Sequence, residues 1–109
     1  MSVSTHVLDS TVGTPAAAVA VSLQRRESGQ WQQLATGVTD LDGRVPALAE
    51  STEPGDYRLT FDVGAYFASR EIDTFYPEVT VTFRITSGDA HYHVPLLLSA
   101  YSYATYRGS

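Results

Sequence analysis

His91 to Ser109 reads HYHVPLLLSAYSYATYRGS, and it alternates where most chain ends fray into small polar residues. Successive side chains of a strand point to opposite faces. Tyr92, Val94, Leu96 and Leu98 therefore fall on one side, and His91 and His93 on the other. The first row reads as core and the second as an exposed face with something to bind. Three more tyrosines and Arg107 follow within the same segment. The chain end is expected to be a strand and hairpin that forms part of a site.

The same period of two recurs upstream. Val79, Val81, Phe83 and Ile85 oppose Glu78, Thr80, Thr82, Arg84 and Thr86, the cleanest strand of the chain, with a polar face suited to an edge or interface. Tyr57, Leu59, Phe61 and Val63 alternate with Arg58, Thr60 and Asp62, and Val19, Val21 and Leu23 with Ala20, Ser22 and Gln24. Shorter strands are expected over Thr5–Asp9 and Trp31–Thr36. Turns are expected at 13–15, at 27–29, at the Asp-Gly of 40–43, where a hairpin is predicted, and at 87–89. Residues 47–56 are acidic and rich in breakers, which predicts a loop. Between Gly64 and Arg70 the alternation stops, which predicts two turns of helix, and Pro77 ends the connector. Seven or eight strands with one short helix make an all-β, antiparallel two-sheet sandwich occupying residues 1–109 as a single domain.

Composition narrows the function classes. A net charge of −5 without a basic run argues against a nucleic-acid partner. No cysteine is present, so disulfides, thiolate catalysis and cysteine-ligated zinc are excluded. No signal-like leader and no run approaching the ~20 apolar residues of a membrane span are visible, which points to the cytoplasm and away from membranes.

Histidine suits proton transfer near neutrality, its unperturbed pKa being about 6.5. His91 and His93 share a face. His6 should point outward beside an inward Val7, but spacing alone does not bring it to the other two. Arg44, leaving the turn, reads either as a solvated turn residue or as a planar donor for a carbonyl or anion. The Asp40-x-Asp42-Gly43 run lacks a calcium loop's further ligands, because Val38 and Ala49 stand where they belong. A zinc set of three histidines is a second possibility, although no acidic residue near them looks like a supporting partner. Neither a phosphate loop nor a nucleophile elbow appears. A hydrolase that activates water is what remains.

The segment from His91 to Leu97, HYHVPLL, and the ending Tyr106-Arg107-Gly108-Ser109 resemble the C-terminal signature of the 5-hydroxyisourate hydrolases, transthyretin-like proteins of purine breakdown. Thr5-His6-Val7-Leu8-Asp9 and Thr39-Asp40-Leu41-Asp42-Gly43-Arg44 agree as well. The resemblance implies a transthyretin-like sandwich with a helix after the fifth strand. It also implies hydrolysis of 5-hydroxyisourate without metal or cofactor, and a homotetramer with sites between subunits. His6, Arg44 and His93 match the family's catalytic positions. His91, Tyr106, Arg107, Gly108 and Ser109 match residues lining the substrate pocket. Which histidine is the base stays open. Ala100 and Ala104 depart from the family's proline and serine, and a small loss of stability is expected at the first. The rivals are a non-enzymatic carrier of the transthyretin type and an immunoglobulin-like interaction module. The first should lack the paired histidines and the arginine and continue past the tetrapeptide, and the second is normally exported.

Overall fold

Nine strands in two sheets enclose one apolar layer in the computed structural model, which describes residues 2–49, 53–87 and 90–108. In chain order the elements are β1 (Ser2–Asp9), β2 (Thr14–Pro15), β3 (Ala20–Glu27), β4 (Gln30–Val38), β5 (Arg44–Ala49), β6 (Gly55–Phe61), α1 (Val63–Ala68), β7 (Val79–Ile85), β8 (His91–Leu98) and β9 (Tyr103–Thr105). One sheet runs β2-β1-β8-β9, with β5 also paired to β1, and the other runs β4-β3-β6-β7. Among the described residues no helix is long and apolar enough to cross a membrane.

Alternation dictates the packing. Val3 and Val7 of β1, Val45 and Leu48 of β5, and Tyr92, Val94, Leu96 and Leu98 of β8 bury their side chains from the first sheet. Val21 and Leu23, then Tyr57, Leu59 and Phe61, then Val79 and Ile85 meet them from the second. Each apolar side chain so covered contributes roughly 1.5–3 kcal/mol against the entropy of ordering the chain. As its polar face implies, β7 is an edge strand.

The structure departs from the sequence reading in four places. Most pairings are antiparallel, but β1 and β8 run parallel in unbroken register from Ser2↔His91 to Asp9↔Leu98. Parallel neighbours need a long crossover, and here the whole second sheet lies between them in sequence. Second, residues 47–49 belong to β5 and Gly55 and Asp56 to β6, so the predicted loop is shorter than 47–56. Third, the Asp-Gly turn makes no hairpin: it carries the chain from β4 in one sheet to β5 in the other. Gly43 there adopts φ 76°, and a Cβ would collide with the Val7 carbonyl, so the position needs glycine. Fourth, Thr14 and Pro15 pair with β1 instead of only turning. The predicted turn at Gly88 and Asp89 lies outside the described residues.

The helix begins two residues early, at Val63, because the Asp62 carboxylate caps it by accepting from Ala65 N at 3.2 Å. Val63, Tyr66 and Phe67, spaced i, i+3 and i+4, form its buried face. It follows the sixth strand, or the fifth when two-residue β2 is left out. Tyr66 ties it to β1 by donating to the buried Asp9 carboxylate at 2.7 Å. Burial and then that carboxylate push the Tyr66 pKa up to about 12. Ala100 lies buried in the bend before β9, where its carbonyl accepts from Thr74 Oγ1 and Phe75 N.

Candidate active site

Residues paired across neighbouring strands project to the same face of a sheet. Because β1 and β8 are in phase, Ser2 lies beside His91, Ser4 beside His93, and His6 beside Pro95. On the other flank of β1, the antiparallel β5 sets Arg44 opposite His6. Ser2, Ser4, His6, Arg44, His91 and His93 therefore share the outer face of the first sheet. Thr5 and Val7 point the other way; Thr5 is buried and donates to the Val94 carbonyl at 2.7 Å.

Arg44 is placed by its turn. The Asp40 carboxylate accepts from Asp42 N and Arg44 N, both at 2.9 Å, and Asp40 N donates to the Arg44 carbonyl at 3.0 Å. Asp40 thus folds the turn that delivers the guanidinium. Ser4, Thr5, Arg44, Pro46, His91 and His93 line a cleft of about 390 Å³, within the size range of small-ligand sites. No group of three or more His, Cys, Asp or Glu side chains is arranged to hold a metal among the described residues.

The histidines are joined through serines. Ser4 Oγ lies 2.8 Å from His93 Nδ1 and 3.0 Å from His91 Nε2, and Ser2 Oγ is bonded to His91 Nδ1. The two rings stack 6.5 Å apart at 15°. His93 Nδ1 is thereby engaged and Nε2 is left for another partner. Burial pushes the His93 pKa below the ordinary 6.5, and the positive charges of Arg44, His6 and His91 push it further, against a hydrogen bond with Ser4. The neutral imidazole, the form able to accept a proton, is thereby favoured.

The chain end returns to the same place. Gly108 pairs with His93 and donates its N–H to the His93 carbonyl at 2.8 Å. A Cβ at Gly108 would stand 2.5 Å from His93 Cδ2, so only glycine lets the backbone lie against this imidazole. Arg107 is exposed and stacks 4.6 Å over the ring of Tyr92. With Tyr106 it borders a second cleft of about 220 Å³ between β7 and β8, which shares His93 with the first. The Thr86 hydroxyl lies 3.5 Å from Tyr92 Oη, to which Ser87 N and Thr86 N donate at 3.1 Å, and these bonds, that of the Thr86 hydroxyl first, hold its pKa below the usual tyrosine value.

The structure thus brings His6, Arg44, His91, His93 and Gly108 together. Tyr106 and Arg107 stand in the adjoining cleft, and Ser109 lies outside the described residues. Ser2 and Ser4 are the site residues that the sequence reading missed. Their signal was available, since both stand at even spacing before His6 on one strand.

A sheet face carrying three imidazoles and one guanidinium, with His91, His93 and Arg44 lining a cleft sized for a small molecule, defines a β-sandwich protein with a small-ligand site rich in titratable groups. The chain belongs to the HIUase/Transthyretin family, whose sequence model matches residues 3–108. It is 52% identical over 108 residues to the 5-hydroxyisourate hydrolase of Salmonella dublin, an alignment covering 97% of this chain and 79% of that protein. The structure of Klebsiella pneumoniae 5-hydroxyisourate hydrolase superimposes with a TM-score of 0.89 at 37% identity, covering all of both chains. Sea bream transthyretin in complex with thyroxine superimposes with a TM-score of 0.94 at 35% identity, over 99% of this chain and 95% of that one. The backbone alone does not separate the two activities. Side chains must.

Proposed function

We propose that this protein is an enzyme that hydrolyses 5-hydroxyisourate, opening its ring amide to give 2-oxo-4-hydroxy-4-carboxy-5-ureidoimidazoline in urate breakdown. The observation that carries the reading is the meeting of His6, Arg44 and His93 on one sheet face from three distant parts of the chain. His93 Nε2 takes a proton from water, and the resulting hydroxide oxygen adds to the ring carbonyl carbon. Such general-base assistance is typically worth 10²–10⁴-fold. Arg44 pairs with the carbonyl oxygen as negative charge grows there, the part of the barrier that preorganised donors lower most. The carbon–nitrogen bond then breaks, and the leaving nitrogen takes up a proton. His6, opposite Arg44, orients the ring, and His91 holds His93. Tyr106, Arg107 and Gly108 close the pocket. The chemistry needs no metal or cofactor.

The cleft is open on a sheet face, and Tyr103 and Tyr106 are 40% and 58% exposed. Both features support a homotetramer, a dimer of dimers, in which neighbouring subunits cover the site and bring Tyr106 and Arg107 to it. A chain without cysteine folds without an oxidising compartment, which fits work in the cytoplasm.

Generating 5-hydroxyisourate with urate oxidase and following its absorbance tests the reading. The protein should accelerate the decay, and His93→Asn should keep the fold and lose most of the turnover. An unchanged decay rate with the wild-type protein would overturn the assignment. Saturable binding of an aromatic ligand without turnover would favour a carrier.

A further inference from the structure

We propose that Ser4 is a positioning residue that couples the tautomers of His91 and His93 and passes the proton abstracted at His93 outward, by way of His91 and Ser2. The inference rests on the hydrolase reading and adds to it the route by which the base is reset.

The argument is one of donor and acceptor counting. A serine hydroxyl has one proton to donate and lone pairs to accept with. Ser4 Oγ sits within hydrogen-bond distance of two imidazole nitrogens at once, His93 Nδ1 and His91 Nε2. It can donate to one and accept from the other, or accept from both. Ser2, bonded to His91 Nδ1, extends the same constraint. Accepting from both would put the two imidazoles in opposite tautomers; two orders make Ser4 a donor as well as an acceptor. In one, both imidazoles carry their proton on Nδ1: His93 donates to Ser4, Ser4 to His91 Nε2, and His91 to Ser2. In the other, both carry it on Nε2 and every bond is reversed.

The first order is the one a base needs, because it leaves His93 Nε2 bare towards the cleft. When Nε2 takes a proton from water, the Nδ1 proton passes to Ser4 and the Ser4 proton to His91 Nε2. The His91 Nδ1 proton then passes to Ser2, which releases its own to bulk water. One proton enters at the cleft and one leaves at the rim. No positive charge stays on an imidazole that already faces Arg44 and His6. The path runs from half-buried His93 through buried Ser4 to exposed His91 and half-buried Ser2. After transfer the chain stands in the second order; when His93 Nε2 gives its proton to the leaving nitrogen, Ser2 takes one from bulk water, every bond reverses, and the first order returns.

The test combines tautomer observation with kinetics. Long-range ¹⁵N–¹H spectra of the free protein at pH 7.5 should show His91 and His93 in the same tautomer, protonated on Nδ1. In Ser4→Ala the two should become independent. Opposite tautomers in the wild-type protein would overturn the proposal. Kinetically, Ser4→Ala should lower kcat about 10- to 100-fold, the range seen when an imidazole loses the partner that orients it. KM should stay within about twofold, and Ser4→Thr, which keeps the hydroxyl, should restore kcat. Ser4→Ala combined with His91→Phe should be no slower than Ser4→Ala alone, because the relay acts as a unit. Full kcat in a folded Ser4→Ala would refute the relay even if the wild-type enzyme turns over substrate. A wild-type protein that does not speed substrate decay would instead refute the hydrolase reading, while the tautomer spectra still judge the coupling.

Discussion

Gly108→Ala offers a sharp perturbation of the site, because it adds one methyl group at one place. The new Cβ would lie 2.5 Å from His93 Cδ2, 3.2 Å from Cγ and 3.3 Å from Cβ. An ordinary carbon contact begins near 3.4 Å, so the imidazole edge must retreat by about 0.9 Å. The backbone cannot yield instead, since Gly108 N is held by the His93 carbonyl at 2.8 Å. Ser4 Oγ lies 2.8 Å from His93 Nδ1 on the opposite flank, so a retreat of that size crowds and misaligns this contact as well. A displacement of about 1 Å at a catalytic group typically costs about 100-fold in rate, or about 2.7 kcal/mol of transition-state stabilisation. Stability should change little, because Gly108 lies outside the apolar core. The measurement is kcat/KM for 5-hydroxyisourate beside a thermal melt of the same preparation. A variant within threefold of wild type, melting normally, would show that the glycine's closeness to the ring has no catalytic meaning.

Other substitutions separate chemistry from packing. Arg44→Lys keeps the charge but not the planar fork; kcat/KM should fall by at least about tenfold, and an unimpaired lysine variant would show that charge alone suffices. The His93 pKa is held below 6.5 in the folded chain, so the unfolded chain binds that proton more readily. This histidine's contribution to stability is complete above about pH 6.5 and is lost as the pH falls through its folded value. The acid limb of kcat/KM reports the same group and should lie below pH 6.5; a limb at or above that value would refute the assignment of His93 as the base. Tyr66→Phe removes the hydroxyl that donates to buried Asp9 and should cost about 1–3 kcal/mol in urea unfolding. Turnover per folded molecule should survive, and a loss of kcat at unchanged stability would contradict the purely structural role of this pair.

The fold was legible wherever a strand buries one whole face. Val19, Val21 and Leu23, Tyr57, Leu59 and Phe61, and Tyr92 through Leu98 alternate because each strand has core on one side only. β5 escaped notice for a physical reason. A shift in its pairing with β1, between Val3↔Ala49 and Thr5↔Val45, puts its inward residues at Val45 and Leu48, three apart instead of two. The helix was visible because alternation stopped, and its start was missed because Val63 continues the inward row of β6 while beginning the helix. His91 and His93 could be read from their spacing of two. His6 and Arg44 could not be joined to them from spacing, since contacts between β1 and β8 span 87–89 residues. Ser4 shares the parity of His6 on β1, but its meaning depends on the nitrogens it lies between.

The site depends on the phase of a single pairing. Side chains on a strand alternate with period two, so sliding β8 by one residue against β1 would turn His91 and His93 into the sandwich and Tyr92 and Val94 out of it. What forbids that slip is distributed over both faces. Inside, Val3 and Val7 meet the row from Tyr92 to Leu98, and the buried Thr5 hydroxyl holds the Val94 carbonyl. Outside, Ser4 holds both imidazoles, and Gly108 fastens the backbone of His93 from the other side. The apolar row therefore does more than stabilise the chain. It sets the phase that brings His93 beside Ser4 and within the field of His6 and Arg44. In this small sandwich, core packing and catalytic geometry are two readings of one register.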